Sequence, residues 1–128
     1  MPVKFSVTSK KDPRDLNAQP KYYAIVRSDG RDDLNTIAQK VARVSTASTG
    51  DTALVLETFV SVVPEELADG KIVELGDFGS FRLSVSSEGS ASSDEVTARN
   101  ITGVKVIFTP GKRFKQALET IQFQKVAE

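Results

Sequence analysis

The sequence predicts an α+β fold: a helical hairpin, a three-stranded antiparallel sheet and a C-terminal helix, with two extra strands at the N-terminus. Apolar and polar residues alternate at the N-terminus and again across residues 81–86, as they do in half-buried strands. Between these regions, apolar residues recur at helical spacing. The chain has 128 residues, which is the length of one domain and enough to fold without disulfide or metal staples.

Two strands are predicted in the N-terminal part. Apolar and polar side chains alternate across residues 3–9, and residues 21–28 are rich in aromatic and β-branched types. The loop between them contains two prolines, and Ser28-Asp29-Gly30 is typical of a turn. Successive side chains of a strand point to opposite faces, so at most one of Tyr22 and Tyr23 is expected to be exposed.

Two amphipathic helices are predicted next. The first begins near Asp32 or Asp33, either of which can cap its free N–H groups, and the second runs from about Asp51 to Asp69. Pro64 has no N–H to donate, so it is expected to kink the second helix or to begin a separate last turn. Each helix has one apolar face, formed by Leu34, Ile37, Ala38, Val41 and Val44 in the first and by Ala53, Leu56, Phe59, Val60, Val63 and Leu67 in the second.

A three-stranded sheet is predicted after the helices. Residues 71–75 and 81–85 are joined by the turn Gly76-Asp77-Phe78-Gly79 and form a hairpin, and residues 104–108 form the third strand. We therefore expect a two-stranded extension, residues 1–30, packed on a main domain, residues 31–128, that forms a single compact unit. Four phenylalanines are assigned to the core: Phe59, Phe78, Phe81 and Phe108.

Two further segments complete the prediction. Residues 86–93 are low in complexity, and Ser93-Asp94-Glu95 is expected to cap a short helix that ends at about Asn100. After the turn at Pro110-Gly111, a last helix is predicted to end near Gln122, with an apolar face made of Phe114, Leu118 and Ile121.

The composition argues against an enzyme. The chain has no cysteine and no histidine, which excludes Cys nucleophiles, Ser-His-Asp triads and Cys/His zinc sites. The adjacent carboxylates Asp32-Asp33 and Glu65-Glu66 do not share a face in regular structure, so they resemble helix-end charges. We expect no catalytic residue, no metal, no cofactor and no small-molecule substrate.

The charges are balanced overall but unevenly distributed. The chain has 17 Lys and Arg against 17 Asp and Glu, which disfavours a uniformly basic nucleic-acid binder. Residues 1–50 and 104–128 are basic and residues 51–103 are acidic, which fits either a solvated surface or orientation on a polyanion. The N-terminus lacks the apolar region of a signal peptide, and no apolar stretch approaches the ~20 residues of a membrane span. We therefore expect a cytoplasmic protein with no membrane partner.

Three stretches carry a resemblance to a known family. They are Val73-Glu74-Leu75 through Phe78-Gly79-Ser80-Phe81, Phe108-Thr109-Pro110-Gly111-Lys112, and the helical hairpin with Ala68-Asp69-Gly70 before the strand. In this order, residues 31–122 resemble the HU / integration host factor family of bacterial DNA-bending proteins, and most of all the HU-related group with an N-terminal extension found in Bacteroides-type bacteria. The resemblance implies a histone-like, nucleoid-associated homodimer with interlocked helices, whose sheets form a saddle under double-stranded DNA and whose two arms bend it.

The arm departs from the family pattern. The family's arm is rich in Arg and Lys and has an Arg-Asn-Pro tip, whereas this segment has no proline and carries Glu88, Asp94 and Glu95, which would repel phosphates. Arg99-Asn100-Ile101 is similar to the tip, but Ile replaces Pro and the tripeptide lies close in sequence to Phe108. We therefore expect a shortened arm folded into a capped turn of helix.

The candidate DNA-binding residues follow from the resemblance. Lys112 stands at the family's Pro-Gly-Lys position, at the start of the last helix, where a cation and backbone N–H groups can meet one phosphate. The full set is Lys112, Arg113, Lys115, Lys105, Arg99 and Arg82. A second basic cluster in the extension is interpreted as a solvated loop in preference to a DNA contact; it consists of Lys10, Lys11, Arg14 and Lys21.

Two functions remain open at this point. The first is weak, non-specific, strongly salt-sensitive binding of DNA by an architectural protein, because few cations are available to displace counterions from phosphates. The alternative is a non-enzymatic structural or protein-interaction module that keeps the HU-like fold without bending DNA.

Overall fold

The structure is a computed structural model that describes residues 1–127. Within them, the chain forms three α-helices and two three-stranded sheets, so the predicted α+β class is confirmed. The strands are β1 (Val3–Lys10), β2 (Lys21–Val26), β3 (Val73–Glu74), β4 (Gly79–Ser87), β5 (Ile101–Pro110) and β6 (Phe123–Lys125), and the helices are α1 (Leu34–Arg43), α2 (Thr49–Ala68) and α3 (Lys112–Leu118).

The chain divides into two compact units. The first contains Met1–Asp33 and the residues from Glu119 onward, and the second contains Leu34–Leu118. The residues after α3 therefore belong with the N-terminal strands. The packing of residues 1–30 on the main domain stays a prediction.

The first unit is a sheet in the order β2-β1-β6. The central strand β1 is antiparallel to β2, with Lys10 opposite Lys21, and parallel to β6, with Val3 opposite Phe123. Ser6 of β1 is almost fully buried, and its Oγ accepts a hydrogen bond of 2.7 Å from Nε of Arg27. Both predicted strands are present in this sheet, but β6 was not predicted. Tyr22 and Tyr23 are both exposed, because neither face of β2 is covered, so the prediction that at most one of them is exposed is wrong.

Both helices of the hairpin in the second unit begin close to their predicted positions. Ser48 caps α2, because its Oγ accepts a hydrogen bond of 3.0 Å from the backbone N–H of Asp51, so α2 starts two residues before Asp51. The helix continues through Pro64 to Ala68, which excludes a separate last turn. Gly70 follows the C-cap of α2 and has a φ of +82°, a conformation that glycine adopts without strain.

The sheet of the second unit has the order β3-β4-β5 and is antiparallel throughout, as predicted. The β4–β5 hairpin is longer than expected, since its pairing runs from Gly79 opposite Pro110 to Ser87 opposite Ile101, with one irregularity after Ser86. The polypeptide enters β4 through a 3₁₀ turn at Gly76–Phe78.

The last helix is shorter than predicted. Helix α3 ends at Leu118, so Ile121 and Gln122 are not helical and the prediction that the helix ends near Gln122 is wrong. Backbone hydrogen bonds explain the difference: the N–H of Val3 donates to the carbonyl of Gln122 at 2.7 Å, and the N–H of Val126 donates to the carbonyl of Phe5 at 2.9 Å. Pairing with β1 therefore replaces helical hydrogen bonds in this segment.

Four aromatic rings form the centre of the second unit. Phe78, Phe81, Phe108 and Phe114 lie with ring centroids 4.9 to 5.5 Å apart, in tilted and edge-on arrangements that favour aromatic contacts. Phe81 and Phe108 are half-buried in this cluster, whereas Phe78 contacts it but remains 49% exposed in the single chain, so its assignment to the core is not confirmed. Phe59 on α2 is outside it and remains 39% exposed in the single chain, which its assignment to the core did not anticipate.

Candidate functional site

The β4–β5 hairpin separates its side chains into two faces of different chemistry. Arg82 stands opposite Ile107, and Ser84 stands opposite Lys105. Because side chains alternate along a strand, these residues share one face, and Phe81 and Phe108 lie on the other, where they join the aromatic cluster. We call the first face the polar face; its members are Ser80, Arg82, Ser84, Ser86, Lys105, Ile107 and Thr109.

The polar face brings two of the six candidate cations together. Arg82 and Lys105 are diagonal neighbours across the two strands, a relation that places Cα atoms roughly 7–8 Å apart. Both side chains are exposed, and neither forms an ion pair within the described part of the chain. One acid shares the edge of this face, since Glu74 of β3 stands opposite Ser80. The sequence analysis did not identify Glu74 as part of this surface.

Three further candidates lie on α3. Phe114 points into the aromatic cluster, and the helical rotation of about 100° per residue turns Lys112, Arg113 and Lys115 away from it. All three are exposed, as a cationic group requires for contact with phosphate. Asp77 and Arg113 line the same shallow hollow, so a carboxylate lies near one of these cations. Helix α3, which carries these three cations, is only seven residues long.

The sixth candidate, Arg99, lies in the loop that closes the hairpin. Residues 88–100 contain two 3₁₀ turns, Ser93–Glu95 and Ala98–Asn100, instead of the single short helix that was predicted. Val96 between them has extended backbone angles, which interrupts any continuous helix. The capping residue is Thr97, whose side chain accepts a hydrogen bond from the N–H of Arg99, rather than Ser93.

Asn100 holds this loop closed. Its Oδ1 accepts a hydrogen bond of 2.8 Å from the N–H of Thr97, and its Nδ2 donates to the carbonyl of Glu88 and to the Oγ of Ser90 at 3.2 and 2.9 Å. The N–H of Glu88 donates in turn to the carbonyl of Asn100 at 2.8 Å. The loop therefore folds back at the end of the hairpin, and it carries Arg99 together with the acidic residues Glu88, Asp94 and Glu95.

Two glycines hold the hairpin against the start of α3. Gly79 has a φ of +146°, and an added Cβ would lie less than 3.0 Å from the carbonyl oxygen of Thr109 and from the Phe108 ring. A Cβ at Gly111 would meet the backbone of Asp77 equally closely, and the Gly111 N–H donates to the carbonyl of Phe78 at 2.9 Å. These contacts are the physical reason for glycine at both positions.

Two other kinds of feature, a metal-binding cluster and a membrane-spanning helix, are absent from the described residues. Across residues 1–127, no group of three or more His, Cys, Asp or Glu residues is placed to hold a metal ion. In the same residues, no helix is both long enough and apolar enough to cross a bilayer.

Comparisons with known proteins support a common fold. A family model described as "HU domain fused to wHTH, Ig, or Glycine-rich motif" matches residues 1–125. The chain is also similar to the crystal structure of a protein from Bacteroides vulgatus ATCC 8482, described as a "putative bacterial DNA binding protein", with a TM-score of 0.66 and 18% identity. That match covers 98% of this chain and 49% of the other, so the chain spans about half of the length of its structural relative. No curated protein matches the chain.

Proposed function

This chain belongs to the family of HU domains fused to wHTH, Ig or glycine-rich motifs, and from this premise we propose that it is a dimeric, histone-like protein that binds double-stranded DNA without sequence specificity. The structural relative is itself described as DNA-binding, which supports the same partner. An architectural role in the nucleoid follows from this proposal, and so does a function without catalysis.

The polar face carries the proposal. Arg82 and Lys105 lie close together on it, and the aromatic cluster packs against the opposite face of the hairpin. The neighbouring side chains Ser80, Ser84 and Ser86 are short, so a phosphate can approach the cations closely. Serine hydroxyls and basic side chains are the groups that contact DNA phosphates without reading sequence.

The number of cations sets the strength of this binding. Each phosphate neutralised makes the slope of log K against log salt steeper by about 0.9, so a protein with few contacts binds weakly and has a shallower salt slope than a protein with many contacts. The closed loop of residues 88–100 carries three acids, which repel phosphates. DNA contact is therefore placed at the base of the hairpin and on α3, and no arm clasps the duplex.

The dimer is supported by the surface that a single chain exposes. One chain exposes 10791 Å², whereas a folded protein of its mass would expose roughly 6,700 Å², or roughly 7,900 Å² if the two units are counted separately. The buried apolar residues among those described are Ala38 and Leu67, which is far too small a core. The excess of roughly 2,800 Å² per chain, or roughly 5,600 Å² for two chains, is at the upper end of what obligate dimers bury.

Fluorescence anisotropy with a ~30 bp duplex at several salt concentrations tests the DNA proposal. We expect salt-sensitive binding, and we expect Arg82→Gln/Lys105→Gln to make the salt slope shallower by roughly 1.8, because two phosphate contacts are lost. Lys112→Glu/Lys115→Glu tests the α3 cations in the same way. The matched control is Lys71→Gln/Lys125→Gln, which removes two charges elsewhere and should leave the slope nearly unchanged. Absence of binding even at low salt would refute the proposal and favour the protein-interaction module.

A further inference from the structure

The hairpin end of the first unit holds an unusual charge arrangement. Lys10, the last residue of β1, stands directly opposite Lys21, the first residue of β2, so two cations share one face of the sheet. Directly opposed side chains have Cβ atoms roughly 5 Å apart, and like charges at this position destabilise a sheet. Lys11 follows at once and adds a third positive charge.

These three lysines outnumber the one carboxylate, Asp12, that lines the same cavity. Among the described residues, none of Lys10, Lys11 and Lys21 forms an ion pair. The two acids of the adjoining loop are already bound by the loop backbone: Asp12 accepts the N–H of Arg14 at 2.9 Å, and Asp15 accepts the N–H of Asn17 at 3.0 Å. The lysines therefore present a concentrated positive potential to solvent.

A cavity lies directly at this cluster. Its volume is about 440 Å³, and its walls are formed by the three lysines, Tyr23 and the loop residues Asp12, Ala18 and Gln19, so three cations and one carboxylate line it. Tyr23 stands opposite Thr8, two positions from Lys21 on the same strand, so it lies on the same face as the lysines. Its side chain is 48% exposed, which leaves a ring available to a ligand. The volume is within the range of small-ligand pockets.

The geometry points to a nucleotide-binding site in this cavity, at which the lysines hold a phosphate and Tyr23 stacks on an exposed base. Lysine ammonium groups bind phosphate as point charges, and every base offers an aromatic face for stacking. A duplex hides its bases within its own stack, so the ligand is a free nucleotide or a nucleotide of a single strand. This site is separate from the polar face and does not depend on the DNA binding proposed above.

Anisotropy of a fluorescein-labelled oligo(dT) of eight nucleotides, at low salt and with the full chain, tests the inference. We expect Tyr23→Leu to weaken binding about tenfold, because one stacked base is lost, and Tyr23→Phe to retain most of the affinity. Lys21→Gln is expected to weaken binding and to make the salt slope shallower by about 0.7, the value for one single-strand phosphate.

Matched controls lie on the opposite face of the same sheet. Tyr22→Leu removes a ring opposite Ser9 that is more exposed than Tyr23, and Lys125→Gln removes a cation opposite Phe5. Neither should change oligo(dT) binding by more than about twofold. The exposed substitution Lys21→Gln provides the test if Tyr23→Leu disturbs folding. Equal effects of the site and control variants, or no binding of oligo(dT) at low salt, would overturn the inference.

Two further experiments identify the source of the ligand and separate this inference from the proposed function. Titration with dTMP, followed by the amide NMR shifts of residues 10–23, reports a free nucleotide; shifts with dTMP but not with inorganic phosphate show that the base contributes. The variant Arg82→Gln/Lys105→Gln should lose duplex binding and keep oligo(dT) binding. If Lys21→Gln weakens duplex binding and leaves oligo(dT) binding unchanged, the cluster is a duplex contact and the nucleotide site is refuted.

Discussion

At the scale of single residues, the closest constraints are at two glycines. Gly79 and Gly111 lie where the start of β4 and the start of α3 approach the Gly76–Phe78 turn, and neither position has room for a Cβ. The aromatic residues next to them, Phe78 and Phe108, can pack only if this approach is kept. The short motifs that resemble the HU family are therefore packing motifs, and they define the fold more directly than they define DNA contact.

The substitution Gly79→Ala tests this constraint. It adds a Cβ in contact with the Thr109 carbonyl at a φ of +146°, so we expect the free energy of unfolding to fall by about 1–3 kcal/mol or more. Urea unfolding followed by circular dichroism measures the change. The control Gly103→Ala lies in β5 with open space around it and should change stability by less than about 1 kcal/mol. A similar loss in both variants would contradict the steric explanation.

At the scale of elements, strand pairing decides which charges meet. The alternation in residues 3–9 predicts a strand with one apolar face, but only the register of β1 with β2 shows that Lys10 faces Lys21. In the same way, the register of β4 with β5 places Arg82 beside Lys105. Both arrangements result from pairing between segments that are distant in sequence or separated by a loop.

Charge reversal at Lys21 measures the repulsion between the paired lysines. In Lys21→Glu the new carboxylate stands opposite Lys10, so we expect the free energy of unfolding to rise by about 0.2–1 kcal/mol at low salt. Denaturant unfolding at low and high salt gives the electrostatic part, which should shrink as salt screens the pair. Lys125→Glu, on the other face and beside β1, is the control. A decrease in stability in Lys21→Glu alone would show that the lysines are not opposed in solution.

At the scale of the whole molecule, one chain leaves too much apolar surface in water. Helix α2 is apolar around most of its circumference, because Leu54, Val55 and Val62 lie outside the predicted apolar face and are exposed. A helix of this composition is normally buried on several sides. The homodimer that we propose would supply such a partner.

The substitution Leu54→Glu tests the dimer. Leu54 is 67% exposed in one chain, so a monomer should tolerate the change within about 0.5 kcal/mol, whereas a dimer that buries this position should dissociate. Sedimentation equilibrium measures the mass, and the melting temperature of the parent chain should rise with protein concentration. Leu16→Glu, at a loop position that is 82% exposed, is the control. A parent chain that remains monomeric at all concentrations would exclude the dimer.

Much of the architecture could be predicted because it depends on local patterns. The alternation in β1, β4 and β5 and the helical spacing in α1 and α2 are properties of neighbouring residues, and both gave elements of the right type. The motif around Phe78-Gly79-Ser80-Phe81 led to the HU family, and the family model over residues 1–125 confirms that resemblance. The errors were in short segments near the ends of elements, such as the single helix expected at residues 93–100.

The sequence by itself determined the α+β class, the helical hairpin, the HU-like motifs and the absence of cysteine and histidine chemistry, because each depends on residue type or near neighbours. Only the tertiary structure decided that the last helix ends at Leu118 and that residues 123–125 pair with β1. It also decided which cations share a face, and it placed Tyr23 beside three lysines in one cavity. The physical reason is the same in each case: hydrogen bonds between distant strands set the register, and the register determines which side chains meet.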